Sequence, residues 1–131
     1  MALFTTFPAR AESPLADTVE RIKPAIVGVG TFAPLRRPRA KLFGTGFSVG
    51  NGRVIATNHH VIEVELDDQK NERLVVFTGR GREPGLREAT ILAIDRRHDL
   101  ALLSIEGEPL PAFTLGDDAA VREGQTVAFT G

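Results

Sequence analysis

Cysteine is absent from this sequence of 131 residues, and the charges of the two signs nearly balance. The lack of cysteine excludes disulfide bonds and thiolate metal sites, and it leaves the redox compartment undetermined. No segment approaches the roughly 18 to 20 consecutive apolar residues of a membrane-spanning helix, so we expect no membrane insertion. The net charge of −1 and the pI near 6.3 give no electrostatic reason to expect nucleic acid as a partner.

The composition is that of one globular domain rich in turns. Hydrophobic residues make up 42% of the chain and charged residues 25%, and thirteen glycines with eight prolines predict many short strands. We interpret residues 1–12 as an N-terminal extension that can be disordered, and residues 13–131 as the folded domain. Ala-Arg-Ala at residues 9–11 resembles a signal cleavage site, but the basic and long apolar segments of a signal peptide are missing.

One helix is predicted near the start of the chain. Ser13 can cap it, Pro14 suits its first position, and Pro24 forces the residue before it out of helical geometry. An apolar stripe recurs at i, i+4 and i+7, formed by Leu15, Val19 and Ile22. We therefore expect a short helix packed on the surface of the domain.

After this helix the apolar period changes from 3.6 to 2, which predicts an all-β fold. The predicted strands are residues 25–32, 43–49, 53–57, 73–78, 89–95 and 100–105, with a last strand at residues 125–130. Gly50-Asn51-Gly52 is typical of a hairpin turn between the second and third strands, because such turns need positive φ. Short strands with this turn punctuation predict a small antiparallel barrel.

Two connecting segments, residues 35–41 and 79–88, are polar and rich in arginine. One interpretation is that both are solvated loops between strands. The other is that they regulate activity or contact a substrate, and the sequence leaves both interpretations open.

Two short segments carry the polar residues that could do chemistry. His59 and His60 follow one apolar strand, while His98 and Asp99 open another. A histidine and an aspartate at neighbouring strand ends could meet across a barrel. The aspartate would then fix the imidazole tautomer, and the imidazole would take a proton from a hydroxyl nucleophile. Spacing alone also fits ordinary half-buried residues at strand ends.

A metal site is the alternative use of these side chains. His59, His60, His98, Asp95 and Asp99 could be drawn as a zinc cluster. However, adjacent pairs on extended backbone do not easily converge on one ion, and no cysteine assists. We therefore predict no metal site and no other cofactor.

Several segments, taken in chain order, resemble motifs of the HtrA-like peptidases. Gly-Thr-Gly-Phe at residues 44–47 and the segment 54–62, which ends in Asn-His-His-Val-Ile, resemble the pattern GTGF…G.ILTNNHVV. Residues 93–105 resemble V.G.D…DLALLKI, and residues 115–127 resemble LGDS..L.VGD.V. Together they span about residues 18–131, which makes the resemblance far more specific than a single motif.

The resemblance implies roles for individual residues. The family's catalytic histidine falls on His60, directly before Val-Ile, and its catalytic aspartate falls on Asp99, directly before Leu-Ala-Leu-Leu. His59 and His98 are then bystanders. Strand alternation agrees with taking one residue from each neighbouring pair, since adjacent side chains in a strand point to opposite faces.

The resemblance also implies a trypsin-like (chymotrypsin-fold) peptidase domain, of which this chain forms the N-terminal β-barrel without the second barrel. The family's nucleophile lies in a Gly-Asn-Ser-Gly-Gly segment, and the serines here, Ser13, Ser48 and Ser104, have other surroundings. We therefore expect a fragment of a serine endopeptidase that is inactive alone. The alternative is a half-length relative that serves as a binding or assembly module.

The partners follow from the same resemblance. The substrate would be extended or unfolded polypeptide, and the second barrel would pack against this one. A lone half would expose apolar surface and could self-associate, with residues 125–130 as an unpaired edge. Location in a periplasm or cell envelope is implied by the family alone.

Overall fold

The computed structural model describes residues 14–79 and 85–130. The extension at residues 1–12, the predicted cap Ser13 and the middle of the second arginine-rich segment lie outside the described residues. Helix α1 spans Pro14–Ile22, so it ends near Pro24 as predicted, but Lys23 stays helical because a turn of 3-10 helix follows at Lys23–Ala25. Its apolar stripe is half-buried at Val19 and Ile22, so the predicted surface helix is confirmed.

Six antiparallel strands form one closed barrel, which confirms the predicted all-β fold. The strands are β1 (Ile26–Phe32), β2 (Ala40–Val49), β3 (Val54–Thr57), β4 (Arg73–Thr78), β5 (Gly85–Asp95) and β6 (Leu100–Ile105). Their order around the barrel is β1-β2-β3-β6-β5-β4. A short helix, α2 (His59–Ile62), follows β3, and turns of 3-10 helix lie at Asp68–Lys70 and Asp118–Ala120.

The barrel closes because β1 pairs with both β2 and β4, and β3 pairs with β6 rather than with β4. The β1–β2 register shifts between Val29 and Gly30, where the strands bend sharply. A Cβ atom on Gly30 would lie 1.9 Å from the carbonyl oxygen of Lys41. Glycine is therefore required at this position for the close approach of the two strands.

The interior of the barrel is filled by side chains from alternate strand positions, as a small barrel requires. The largest fully buried apolar residues of this interior are Val29, Ile55, Val76, Leu103 and Ile105; Val75, on the opposite face of β4, is buried as well. The hydroxyl oxygen of Ser48 is also buried, and it has no hydrogen-bond partner among the described residues.

Two strands begin earlier than the apolar pattern predicts. β2 begins at Ala40 rather than at residue 43, and β5 begins at Gly85 rather than at residue 89. Ala40 pairs with Phe32 and Gly85 with Thr78, so both early segments are held by backbone hydrogen bonds to a neighbouring strand. Their side chains are mostly exposed, those of Leu42 and Leu86 included, so these segments lack the alternation of buried apolar residues on which the prediction relied.

The predicted strand at residues 125–130 is wrong. These residues form no regular element, and the side chains of Val127 and Phe129 are 67% and 99% exposed. The six strands already close on one another, so no barrel strand offers this segment an edge to pair with. Self-association through an unpaired edge at residues 125–130 therefore loses its structural basis.

Candidate functional site

The candidate residues meet at one end of two paired strands. Thr57, the last residue of β3, pairs with Ala101 near the start of β6. The chain leaving β3 and the chain entering β6 therefore lie side by side. The hydroxyl of Thr57 donates to the carbonyl oxygen of Thr45 at 2.9 Å, which fixes this strand end to β2. The prediction that a histidine and an aspartate meet across neighbouring strand ends is thus met in the fold.

His60 and Asp99 contact each other through two hydrogen bonds, although they lie 39 positions apart in the sequence. The ring Nδ1 of His60 is 2.6 Å from Oδ2 of Asp99, and the main-chain N–H of His60 donates to Oδ1 at 2.9 Å. With Nδ1 occupied by the carboxylate, Nε2 is the ring nitrogen available to another group. The side chains are 68% and 44% exposed, so a second group can reach the pair.

The electrostatics of the pair favour an ionised aspartate. The pKa of the Asp99 carboxyl group is lowered, first by the main-chain N–H of His60 and then by the His60 ring. An ionised Asp99 accepts a hydrogen bond from Nδ1–H of His60, which fixes one tautomer of the imidazole. This is the arrangement that a general base needs.

The neighbouring residues secure the backbone of Asp99. Its carbonyl oxygen accepts from the side-chain amide of Asn58 at 3.0 Å and from the main-chain N–H of His59 at 3.2 Å. Asp99 itself has a positive φ of 53°. The sequence analysis did not single out Asn58, because its partner lies 41 positions away.

The two other histidines lie apart from this pair. His59 is buried, with 8% of its surface exposed, and it lies in α2 rather than in a strand. The argument from strand alternation was therefore wrong in its premise, since a helical step of about 100° separates the two adjacent histidines. The Nδ1 of His98 is 2.7 Å from Oδ2 of Asp95, a second histidine–aspartate pair that the sequence analysis missed.

Two other groups of polar side chains were considered in the sequence: the candidate metal ligands and the arginine-rich segments. Within residues 14–79 and 85–130, no three ligating side chains come together as a metal site would require. In the first arginine-rich segment, Arg36 forms an ion pair with Glu72, whose carboxylate also accepts from the buried Thr31 hydroxyl. Arg36 is therefore a structural link between two loops, whereas Arg37 and Arg39 are exposed.

Two depressions adjoin the His60–Asp99 pair. One, the His60 cleft, has a volume of about 320 Å³ and is lined by Phe43, Gly44, Thr57, His60, Val61 and Leu100 among others. The other, the outer groove, has a volume of about 390 Å³ on the outside of the barrel. Its lining is largely apolar and includes Phe47, Ala56, Ile94, Leu100, Leu102 and Leu115.

Known proteins are similar to this chain in sequence. The family model of the trypsin-like peptidase domain matches residues 44–131, which include both His60 and Asp99. The chain belongs to the trypsin-like peptidase family. Among relatives in this peptidase family, serine protease HTRA3 of Rattus norvegicus is 34% identical over 126 residues, covering 89% of this chain. Serine protease HTRA2, mitochondrial, of Bos taurus is 33% identical over 132 residues, covering 96% of this chain.

These matches confirm the resemblance to HtrA-like trypsin-like peptidases and the trypsin-like character of the barrel. The aligned region is 26% of the length of both relatives, so the chain spans about a quarter of the relatives it matches. In the part of this peptidase-family chain that the structure describes, no helix is long and apolar enough to cross a membrane.

Proposed function

We propose that this chain supplies the histidine and aspartate of a Ser-His-Asp triad in a serine endopeptidase. The observation that carries the proposal is the 2.6 Å contact between Nδ1 of His60 and Oδ2 of Asp99. It leaves Nε2 of His60 to act on a nucleophile, and the match to trypsin-like peptidases supports this use of the pair.

In the proposed mechanism, Nε2 of His60 takes the proton of a serine hydroxyl as its oxygen attacks a peptide carbonyl. The same nitrogen then gives the proton to the leaving amine, while ionised Asp99 stabilises the imidazolium formed between these steps. The lowered pKa of the Asp99 carboxyl group supports this role, since the aspartate must stay ionised throughout.

The nucleophile is proposed to come from chain outside these 131 residues. Ser48 is fully buried, with its hydroxyl inside the barrel, and Ser104 lies half-buried within β6. Ser13 lies outside the described residues. Neither described serine is placed to reach a substrate at the His60 cleft, so the isolated chain is proposed to be inactive.

The substrate is proposed to be extended or unfolded polypeptide. Both relatives reported above are named serine proteases, and the half-exposed His60–Asp99 pair beside an open cleft suits a long chain passing across it. The outer groove is proposed to receive the second barrel of the peptidase domain, because its lining is largely apolar and reaches Leu100 beside the His60 cleft.

The test uses the product of the full reading frame, with casein as substrate. His60→Ala is expected to lower kcat by roughly 10⁴-fold to 10⁶-fold, because a triad acts as a unit. Asp67→Ala, which removes a carboxylate from a turn on the β3–β4 connection, is the matched control and is expected to leave kcat unchanged. Equal kcat values for wild type and His60→Ala would refute the proposal.

A second arm tests the inactivity of the isolated chain. Highly purified chain is expected to leave casein intact, because neither a nucleophile nor the backbone donors near it are supplied. Casein hydrolysis that His60→Ala abolishes in this chain would show that the nucleophile lies within these residues.

A further inference from the structure

Asp99 is held in a conformation that few residues other than glycine adopt. Its φ is 53°, and among the described residues other than glycine only Asn71 shares a positive φ. Aspartate and asparagine enter the left-handed region more often than other residues with a Cβ atom, but the conformation is still uncommon and persists where the surroundings favour it. The carboxylate that contacts His60 therefore depends on contacts that maintain this backbone.

The first set of contacts precedes Asp99 in the chain. Asp95 accepts the main-chain N–H of His98 on Oδ1 at 3.1 Å and contacts Nδ1 of His98 with Oδ2 at 2.7 Å. The N–H of Asp99 points back to the carbonyl oxygen of Arg96 at 3.4 Å. Asp95 thereby closes the β5–β6 turn directly before Asp99. The pKa of the Asp95 carboxyl group is lowered, first by the His98 side chain, so this acceptor is ionised.

The second set of contacts acts on the other side of Asp99. The amide nitrogen of Asn58 and the main-chain N–H of His59 both donate to the carbonyl oxygen of Asp99, at 3.0 and 3.2 Å. They fix the direction of that carbonyl and so the ψ angle of Asp99. They also tie the residue to the segment that carries His60, whose own N–H donates to the Asp99 carboxylate.

A second turn of the same design identifies what Asp95 does. In residues 67–71, Asp67 accepts the N–H of Lys70 on Oδ1 at 3.2 Å, and its Oδ2 pairs with the Lys70 ammonium at 2.9 Å. The next residue, Asn71, has a φ of 51° and donates to the carbonyl oxygen of Asp68. An aspartate that caps position i+3 thus precedes a left-handed residue at i+4 in both turns. Lys70 occupies in the first turn the position that His98 has in the second, so this turn does not need a histidine there. The Asp95–His98 pair therefore belongs to the turn and is not a second reactive pair.

We propose that Asn58 and Asp95 are positioning residues that hold Asp99 in its left-handed conformation from two sides and keep its carboxylate on Nδ1 of His60. The inference rests on the proposed function for its catalytic meaning, since the pair it maintains is the proposed triad pair. Asn58 acts through the Asp99 carbonyl oxygen, and Asp95 acts through the turn that leads into Asp99. Neither residue touches the reacting atoms.

The experiment reads the imidazole tautomer of His60 in the isolated chain by long-range proton–nitrogen correlation NMR. At pH 8.5, wild-type His60 is expected to carry its proton on Nδ1, where the Asp99 carboxylate accepts it. In Asn58→Ala and in Asp95→Ala, the His60 signals are expected to shift toward the Nε2–H tautomer, with loss of a protected Nδ1–H signal. A purely structural role would leave the tautomer unchanged while lowering the melting temperature.

Matched variants separate positioning from general loss of stability. Asp67→Ala removes the same kind of cap from the other turn and is expected to leave the His60 tautomer unchanged. Asp95→Asn keeps an oxygen that can accept the His98 N–H, so it is expected to restore most of the Nδ1–H signal. A dispersed backbone spectrum in each variant verifies that the barrel is folded.

The outcomes also distinguish failure of this inference from failure of the proposed function. Asp99→Asn must change the His60 tautomer if the pair exists as described, and an unchanged tautomer there contradicts the proposed function itself. If Asp99→Asn shifts the tautomer while Asn58→Ala and Asp95→Ala do not, the positioning proposal alone is overturned.

Discussion

Strand β6 shows two apolar faces with different partners. Leu103 is fully buried inside the barrel, whereas its neighbour Leu102 is 38% exposed and lines the outer groove. On β5, Ile91 and Ile94 are likewise exposed. An antiparallel strand with one face in water normally alternates apolar and polar residues. The inner face is completed by this chain, and the outer face has the composition of a surface that another body covers.

The inner face of the strands therefore stabilises the barrel, whereas the outer face is available for contact with another body. Residues inside the ring pack against one another and against Val61 and Ile62 of α2, all within this chain, so their substitution affects the stability of the isolated chain. The outer groove includes exposed apolar residues such as Leu102 and Leu115, which agrees with the second barrel proposed above.

The largest expected effect tests the two faces within one strand. Leu103→Ala is expected to lower the free energy of unfolding by about 2–5 kcal/mol, because it leaves a cavity in a packed interior. Leu102→Ala is expected to cost less than Leu103→Ala in the isolated chain, because Leu102 is already 38% exposed and its truncation leaves no closed cavity. Urea unfolding of both variants measures the contrast, and equal losses would contradict the distinction between the faces.

The next effect concerns the polar end of the barrel, where Glu72 joins Thr31 and Arg36. The hydroxyl of Thr31, followed by the guanidinium of Arg36, lowers the pKa of the Glu72 carboxyl group from 4.5 to about 2. Because the folded pKa is the lower one, the stabilisation is complete above about pH 4.5 and is lost as the pH falls through about 2. The difference in unfolding free energy between wild type and Glu72→Gln should shrink over this range.

Urea titrations of both proteins at pH 6 and pH 2.5 provide this comparison. Taking the difference between the two proteins cancels the other carboxyl groups that titrate in the same range. A difference that stays constant between the two pH values would show that the Glu72 carboxylate does not stabilise the fold.

A smaller effect of opposite sign is expected inside the barrel. The hydroxyl of Ser48 is buried without a hydrogen-bond partner among the described residues, which leaves its desolvation uncompensated. Ser48→Ala is therefore expected to raise the free energy of unfolding by up to about 1 kcal/mol. Thermal unfolding measures this change, with Thr57→Ala as the contrasting variant, since the Thr57 hydroxyl donates to Thr45 and its loss should destabilise. A destabilised Ser48→Ala would show that the hydroxyl is satisfied.

The smallest stability effect belongs to the segment beyond the barrel. Phe129 is 99% exposed, so Phe129→Ser is expected to change the unfolding free energy by less than about 0.5 kcal/mol. Its measurable consequence is association, because a fully exposed aromatic side chain favours contact between copies. Light scattering over a wide concentration range should show less self-association for Phe129→Ser than for wild type. Identical scattering would exclude this residue as a contact.

The sequence predicted the elements whose signal is local. Pro14 and Pro24 bound α1, and alternation of apolar residues located all six strands of the barrel. The prediction failed for residues 125–130, whose composition suits a strand but whose potential partners already pair with one another. Pairing depends on which strands are free, and a local pattern does not contain that information.

The candidate site likewise contains residues that the sequence predicted and residues that it did not. The motif resemblance identified His60 and Asp99, and the structure brings their side chains together. The contacts of Asn58 and Asp95 beside the pair were not predicted: Asn58 donates to a carbonyl oxygen 41 positions away, and Asp95, weighed only as a metal ligand, caps a turn. Hydrogen bonds of this kind involve the main chain, so they leave no pattern of side-chain types in the sequence.

The pairing of β3 with β6 has a consequence for the order of assembly during synthesis. Val54 pairs with Ser104, so the ring stays open until the chain through β6 has left the ribosome. The same step brings the segment after β3 beside the start of β6 and so joins His60 to Asp99. A nascent chain that ends before residue 99 contains His60 but lacks Asp99. Completion of the barrel and assembly of the His60–Asp99 pair are therefore one event.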